Sequence, residues 1–145
     1  MLTVLTLHFF ATVFMTGVIW FVQVVHYPSF RGLEKSNFPD LMKQHQHSTT
    51  IVVLPAMLCE LGSAFALLFS SCGRFETIVV WVNLATLALI WYFTFFVSVP
   101  KHQRLLSGYD ARTIDNLIFT NWPRTCLWSA RSLLIFFLIH RTGWI

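Results

Sequence analysis

The chain has 145 residues and a formal net charge of +4, with 56% hydrophobic, 17% aromatic and only 11% charged residues. Soluble domains carry roughly 25% charged residues, so this composition, with a mean hydropathy of +0.65, excludes an ordinary soluble domain and points to an integral membrane protein. The basic residues flank apolar stretches and form no run, which excludes a nucleic-acid partner and suits anchoring at a lipid interface.

Four apolar stretches follow one another, Leu2–Val25, Ile51–Ser70, Thr77–Val99 and Leu117–Ile139. Each is close to the ~20 residues that a helix needs to cross a hydrocarbon core, and lipid-facing backbone must satisfy its hydrogen bonds within the helix. The expected fold is all-α, an integral membrane four-helix bundle in a single transmembrane domain over 1–145.

The first stretch lacks the basic start and small-residue cleavage site of a secretory leader, and is expected to be a retained span. Thr16, Trp20, Gln23 and Tyr27 recur along it at helical intervals, with His26 adjacent, and Pro28 is expected to end it. His8, at the opposite end, is expected to be interfacial, like His140. The segment 26–50 reads as a long loop carrying His45 and His47. In the second span Pro55 is expected to kink the helix, and Glu60 falls near the midplane. A short connection around SCGRFE leads to the third span, where Asn83, Thr94 and Ser98 line one face and His102 lies a turn beyond. Asn83 and Thr94 read as interhelical glue. Pro100 is expected to end this span, leaving 100–116 as a second long loop.

The last span opens with TNWPRTCLWSAR (120–131). Thr120 or Asn121 is the expected N-cap, with Pro123 in the first turn, where a missing N–H is harmless. At about 100° per residue, Asn121, Arg124, Trp128 and Arg131 share one side of this helix. Cys59, Cys72 and Cys126 have no metal-ligand spacing and are given no role; Cys59 and Cys126, inside spans, read as small hydrophobes. Arg31, Lys35, Lys43, Lys101, Arg104 and Arg112 flank the long-loop ends, against Arg74 and Arg141 opposite. By the positive-inside rule the long loops are expected to be cytoplasmic and both termini outside, in a multi-pass topology.

A charge at mid-bilayer costs at least about 2.5–3.5 kcal/mol on the insertion scale, so Glu60 and Arg131 are expected to face inward and pair. The polar residues of the other elements crowd toward the long-loop end. His26, His45, His47 and His102 are candidate metal ligands, since histidines with a carboxylate suit a transition metal such as Fe, Cu or Zn; haem ranks behind these. Glu60 is a candidate buried acid or base, and Asn121, Arg124 and Arg131 are candidates to hold negative charge on a reacting substrate. Gln23, Tyr27 and Trp128 are candidate cofactor contacts.

Three segments, QVVHYP (23–28), VPKHQRLLSGYD (99–110) and TNWPRTCLWSAR, resemble those of the anthrone-oxygenase-like group of small four-span membrane proteins. That group has a Val-Pro pair with a polar residue two positions on and a leucine soon after, here Val99, Pro100, His102 and Leu105. A Trp/Asn/Arg cluster then starts its fourth helix, here Asn121, Trp122 and Arg124. The chain departs from the pattern at His102, where the group has asparagine, and in the order and spacing of Trp and Asn. The resemblance implies a four-helix bundle and oxygenation of a phenolic or polycyclic ketone-like compound.

Three functions follow as expectations. The first is a membrane oxygenase or oxidoreductase acting on a hydrophobic aromatic small molecule that arrives from lipid. The second is a non-catalytic accessory subunit packed against partner membrane subunits, and the third a haem-binding bundle.

Overall fold

In a computed structural model, which describes residues 2–69 and 73–141, the chain is all-helical. Cys72 lies outside the described residues. Four long helices follow in order: α1 (Thr3–Gly32), α2 (Phe38–Leu68), α3 (Arg74–Leu105) and α4 (Ala111–Arg141). The first three are long and apolar enough to cross a membrane. α4 is as long as α2, at 31 residues, and carries more charge. α1 packs against α2 and α4, and α3 completes the ring by packing against those same two helices.

The helices outrun their apolar stretches. The two connections expected to be long shrink to 33–37 and 106–110, because 38–50 belongs to α2 and 111–116 to α4. Hydropathy marks the lipid-sized centre of a helix and is blind to amphipathic turns beyond it. His45 and His47 are therefore helical residues. At ~1.5 Å per residue each helix is about 45 Å long, and α1, α2 and α3 are thus longer than the ~30 Å of a hydrocarbon core.

The prolines also depart from expectation. Pro28 and Pro100 lie inside α1 and α3, each just after a π-helical turn, Val22–His26 and Phe93–Ser98. A proline has no N–H, and its ring crowds the carbonyl four residues back. That carbonyl, on Val24 or Phe96, lies in the π segment, where the chain widens to i→i−5 bonds such as Tyr27 N–H to Val22 O and Val99 N–H to Thr94 O. The wide turn absorbs the proline and the helix continues. Pro55 lies inside α2, as expected, whereas Pro123 lies well inside α4, not in its first turn.

The start of α4 is set by Asp110, not by Thr120 or Asn121. Its Oδ1 accepts from the Arg112 N–H at 3.1 Å and its Oδ2 from the Thr113 hydroxyl at 2.6 Å. Just before it, Gly108 takes φ +144°, a backbone conformation that suits glycine. The two connections at this end are clamped together. Arg31 pairs with Asp115 at 2.7 Å, and Phe38 meets the Tyr109 ring edge-on at 5.2 Å.

The packing is inverted relative to a soluble bundle. Phe96, Phe119 and Leu133 are 71%, 75% and 70% exposed, while Glu60 is 0% and Arg131 1% exposed. Two apolar clusters fill the interior. One, around Leu5, Leu67, Val80 and Ile135, lies toward the connection between α2 and α3. The other, around Met15, Ile19, Met57, Ile90 and Trp128, extends to the opposite end. A polar layer separates them.

The Thr113 hydroxyl bond is the main reason that the Asp110 carboxyl is held below the usual carboxylate range. A folded-state pKa lowered in this way adds stability that is present at neutral pH and is lost as pH falls through the lowered pKa. Asp110→Ala is expected to lower the thermal midpoint in detergent at pH 7. Asp110→Asn, which still caps, is expected to keep most of it and to lose the acid-dependent part, as thermal unfolding between pH 3 and 7 would register.

Candidate functional site

The separating layer draws one polar side chain or more from every helix. Glu60 on α2 meets Arg131 on α4 at 2.9 Å, with both side chains fully buried. Both carboxylate oxygens of Glu60 also accept from the Trp128 indole N–H, at 3.3 and 3.1 Å. Arg131 Nε donates to Asn83 Oδ1 on α3 at 2.7 Å. An arginine can only donate, so the Asn83 amide nitrogen faces the other way, toward His8 Nε2 on α1 at 2.8 Å. His8 Nε2 must then accept, and the imidazole proton sits on Nδ1, within 2.8 Å of Ser63 Oγ on α2. The Ser63 hydroxyl donates in turn to Cys59 O at 2.6 Å.

The expected Glu60–Arg131 pair is therefore present. His8 is not interfacial; it is 0% exposed and closes the network. The polar groups of this layer are mutually satisfied except for Thr12 Oγ1. Glu60 and Arg131 line neither of the two cavities described below.

A second polar layer lies toward the end that carries the 33–37 and 106–110 connections. Gln23 on α1 accepts from Asn121 Nδ2 at 2.9 Å and donates to Ile118 O at 3.2 Å. Asn121 Oδ1 accepts from Arg124 Nη1 at 3.0 Å, and the same nitrogen reaches Ser98 Oγ at 3.3 Å. The Arg124 guanidinium lies 5.4 Å from the centre of the Trp128 ring, so Trp128 joins the layers, its N–H on Glu60 and its face toward Arg124.

Beside Arg124, three histidines from three helices meet. His26 Nε2 and His45 Nδ1 are 2.7 Å apart, with Thr49 Oγ1 at 3.1 Å from the same Nδ1. The His45 and His102 rings are 5.4 Å apart, and His102 Nε2 bonds the Tyr27 hydroxyl at 3.0 Å. The π turns have a part in this placement. His26 ends the first and precedes Tyr27, while Ser98 ends the second, one turn before His102. His47, the fourth candidate ligand, is exposed and outside the cluster.

Two cavities flank the histidines. One, of about 350 Å³, lies between the helices and is lined by Tyr27, His45, Trp91, Ser98, His102 and Arg124, among others. The other, of about 440 Å³, is a largely apolar groove between α1 and α2 with His26 and His45 in its wall. Imidazoles are suitable donors for a transition metal. Among the described residues, however, no three His, Cys, Asp or Glu side chains converge in a metal-holding arrangement. His26 and His45 share a hydrogen bond, while His102 meets His45 only by ring contact and bonds Tyr27 instead.

Compared with known proteins, the chain matches no family model, and neither a curated protein nor a solved structure matches it.

Sequence reasoning missed His8, Ser63 and the indole N–H of Trp91. The signal for His8 was available, since His8, Thr12 and Thr16 continue the Gln23–Tyr27 face at steps of four.

Removing one member of a buried ion pair leaves a buried, uncompensated charge and costs about 3–5 kcal/mol, whereas replacing both by apolar groups is far less damaging. Arg131→Leu is expected to destabilise strongly, and Glu60→Leu/Arg131→Leu to recover much of that loss in thermal unfolding. Equal loss in both variants would sink the ion-pair account.

Proposed function

We propose that the chain is an integral membrane protein with four spans, α4 being the fourth, and that its end-layer cavity is the site of a membrane oxidoreductase of the oxygenase class acting on a hydrophobic aromatic substrate. The inward turn of Arg124 and Arg131 supports the fourth span, since it leaves α4 with an apolar outer face. The excess of basic residues at the end carrying the 33–37 and 106–110 connections supports a cytoplasmic placement of that end, with the termini outside.

The observation that carries the enzymatic reading is the placing of His45 and His102, from two helices, in the wall of one cavity with Tyr27 and Arg124, with His26 from a third helix bonded to His45 behind it. Histidine is the usual carrier of protons at neutral pH, and His102 with Tyr27 can take a proton from an acidic phenol or ketone held in the cavity. Arg124 would stabilise the oxyanion that this step leaves. The resemblance to the anthrone-oxygenase-like group favours a polycyclic ketone or phenol as that substrate. Binding of iron, copper or zinc belongs to the same reading; the metal would take up the nitrogens that His26 and His45 share. Glu60 and Arg131 have a structural role here, fixing Trp128 beneath Arg124.

The test is oxygen uptake by the purified protein with an anthrone, as isolated and after supply of iron, copper or zinc, alongside its metal content. Uptake dependent on both protein and anthrone is expected, falling at least about tenfold in His102→Gln, in keeping with the 10²–10⁴-fold scale of general acid–base catalysis. Absence of uptake under all these conditions would contradict the proposal, and a co-purifying membrane partner would favour the accessory-subunit reading instead.

A further inference from the structure

Arg124 and Arg131 lie two turns apart on the same side of α4, and the protein treats them differently. Arg131 is neutralised by Glu60 and anchored by Asn83. Arg124 is 6% exposed, yet among the described residues it forms no ion pair. Its Nη1 donates to the neutral oxygens of Asn121 and Ser98, the neutral Tyr27 hydroxyl lies beside the guanidinium, and its Nε has no partner. A guanidinium cannot shed its charge in a protein, and a buried charge without a counter-ion is strongly disfavoured.

Arg124 lines the cavity of about 350 Å³, and so do the two other side chains in this layer with a buried, unpartnered polar atom, His102 at Nδ1 and Trp91 at Nε1. Arg124 Nε and Trp91 Nε1 can only donate. His102 Nδ1 also donates when the Tyr27 hydroxyl gives its proton to Nε2. No carboxylate lines the cavity, and much of its remaining wall is apolar, with Met57, Leu54 and Phe95. A cation and N–H groups without acceptors, set in an apolar wall, are complementary to an oxygen anion on an apolar body.

We propose that this cavity takes an amphipathic organic anion, whose planar carboxylate or phenolate head pairs with Arg124 and the Trp91 N–H while its ring system lies along Met57 and Phe95. This deepens the oxygenase reading by naming the charge state of the bound molecule, and rests on that reading only for its link to turnover. The guanidinium fork matches two coplanar oxygens better than a point charge does. The ion pair that forms would give Arg124 the counter-charge that Glu60 gives Arg131.

The test is calorimetric titration of the metal-free protein, in an uncharged detergent, with 2-naphthoate, 2-naphtholate (at a pH above the phenol's own ionisation) and the neutral methyl ketone 2-acetonaphthone. The two anions are expected to bind at least about tenfold more tightly than the ketone, as a charge-assisted, desolvated pair should. In Arg124→Gln that preference is expected to collapse, while Arg124→Lys retains part of it. Equal affinity for anion and ketone in the unaltered protein would overturn the proposal without any variant, so a poorly folding Arg124→Gln does not protect it. Unchanged anion preference in a folded Arg124→Gln would overturn it too. Displacement of naphthoate by phosphatidylglycerol at comparable affinity would assign the cavity to a lipid headgroup and equally refute the planar anion. Because no turnover or metal is involved, failure here leaves the oxygen-uptake result standing, and failure of oxygen uptake leaves this binding result standing.

Discussion

The Glu60–Arg131 ion pair is the constraint on which the rest depends. Two opposite charges sit in an apolar interior, and their desolvation is tolerable only if each finds its partner and its remaining hydrogen bonds. Those bonds come from Trp128 on the same helix as Arg131, from Asn83 on α3 and, through Asn83, from His8 on α1. The pair therefore fixes the rotation of all four helices at one level. Apolar packing above and below has less directional content, since dispersion between aliphatic chains tolerates sliding that a hydrogen-bonded carboxylate does not.

From that level the order propagates to the cavity by way of Trp128. Its N–H is held by Glu60, so its ring plane is fixed, and Arg124 lies over that ring with Asn121 and Gln23 holding one edge. The proline-linked π turns complete the arrangement from α1 and α3. A π turn shifts the residues after it relative to a regular α-helix, and it occurs here in the two helices that supply His26 with Tyr27 and Ser98 with His102. Such turns are often found at functional sites. The structure thus pairs a closed polar layer, in which nearly every donor has its acceptor, with one whose residues line a cavity and keep buried polar atoms without partners.

Much of this was legible in the sequence, for particular reasons. Charge is so costly in an apolar helix that Glu60 and Arg131, placed by counting residues, had to meet. The helical spacing of Asn121, Arg124, Trp128 and Arg131 gave their shared side directly, and the histidines at like ends of the stretches foreshadowed the cluster. Helix ends were less legible, because segments such as FPDLMKQHQHSTT are amphipathic turns that hydropathy scores as loop. The prolines misled for a related reason. A proline is a strong stop in an isolated helix, but a π turn before it, invisible in composition, lets the helix run on. His8 was misjudged from its place near the start of a span; its depth in the bundle depends on how far the other helices extend past it. The depth difference between Glu60, near the midplane, and the histidines, at one end, was already present in the residue count, and the structure keeps them in separate layers.

The measurement that most directly tests this account is the nitrogen NMR spectrum of His8 in the isotope-labelled protein in detergent, assigned by comparison with His8→Gln. The network of Arg131, Asn83 and Ser63 requires a neutral imidazole with its proton on Nδ1 and a bare, hydrogen-bonded Nε2 at neutral pH. Observation of that tautomer, disturbed by Asn83→Ala, is the predicted result. A doubly protonated ring, or a proton on Nε2, would mean that Asn83 does not carry the link from Arg131 to α1, and the account of one polar layer fixing all four helices would fail.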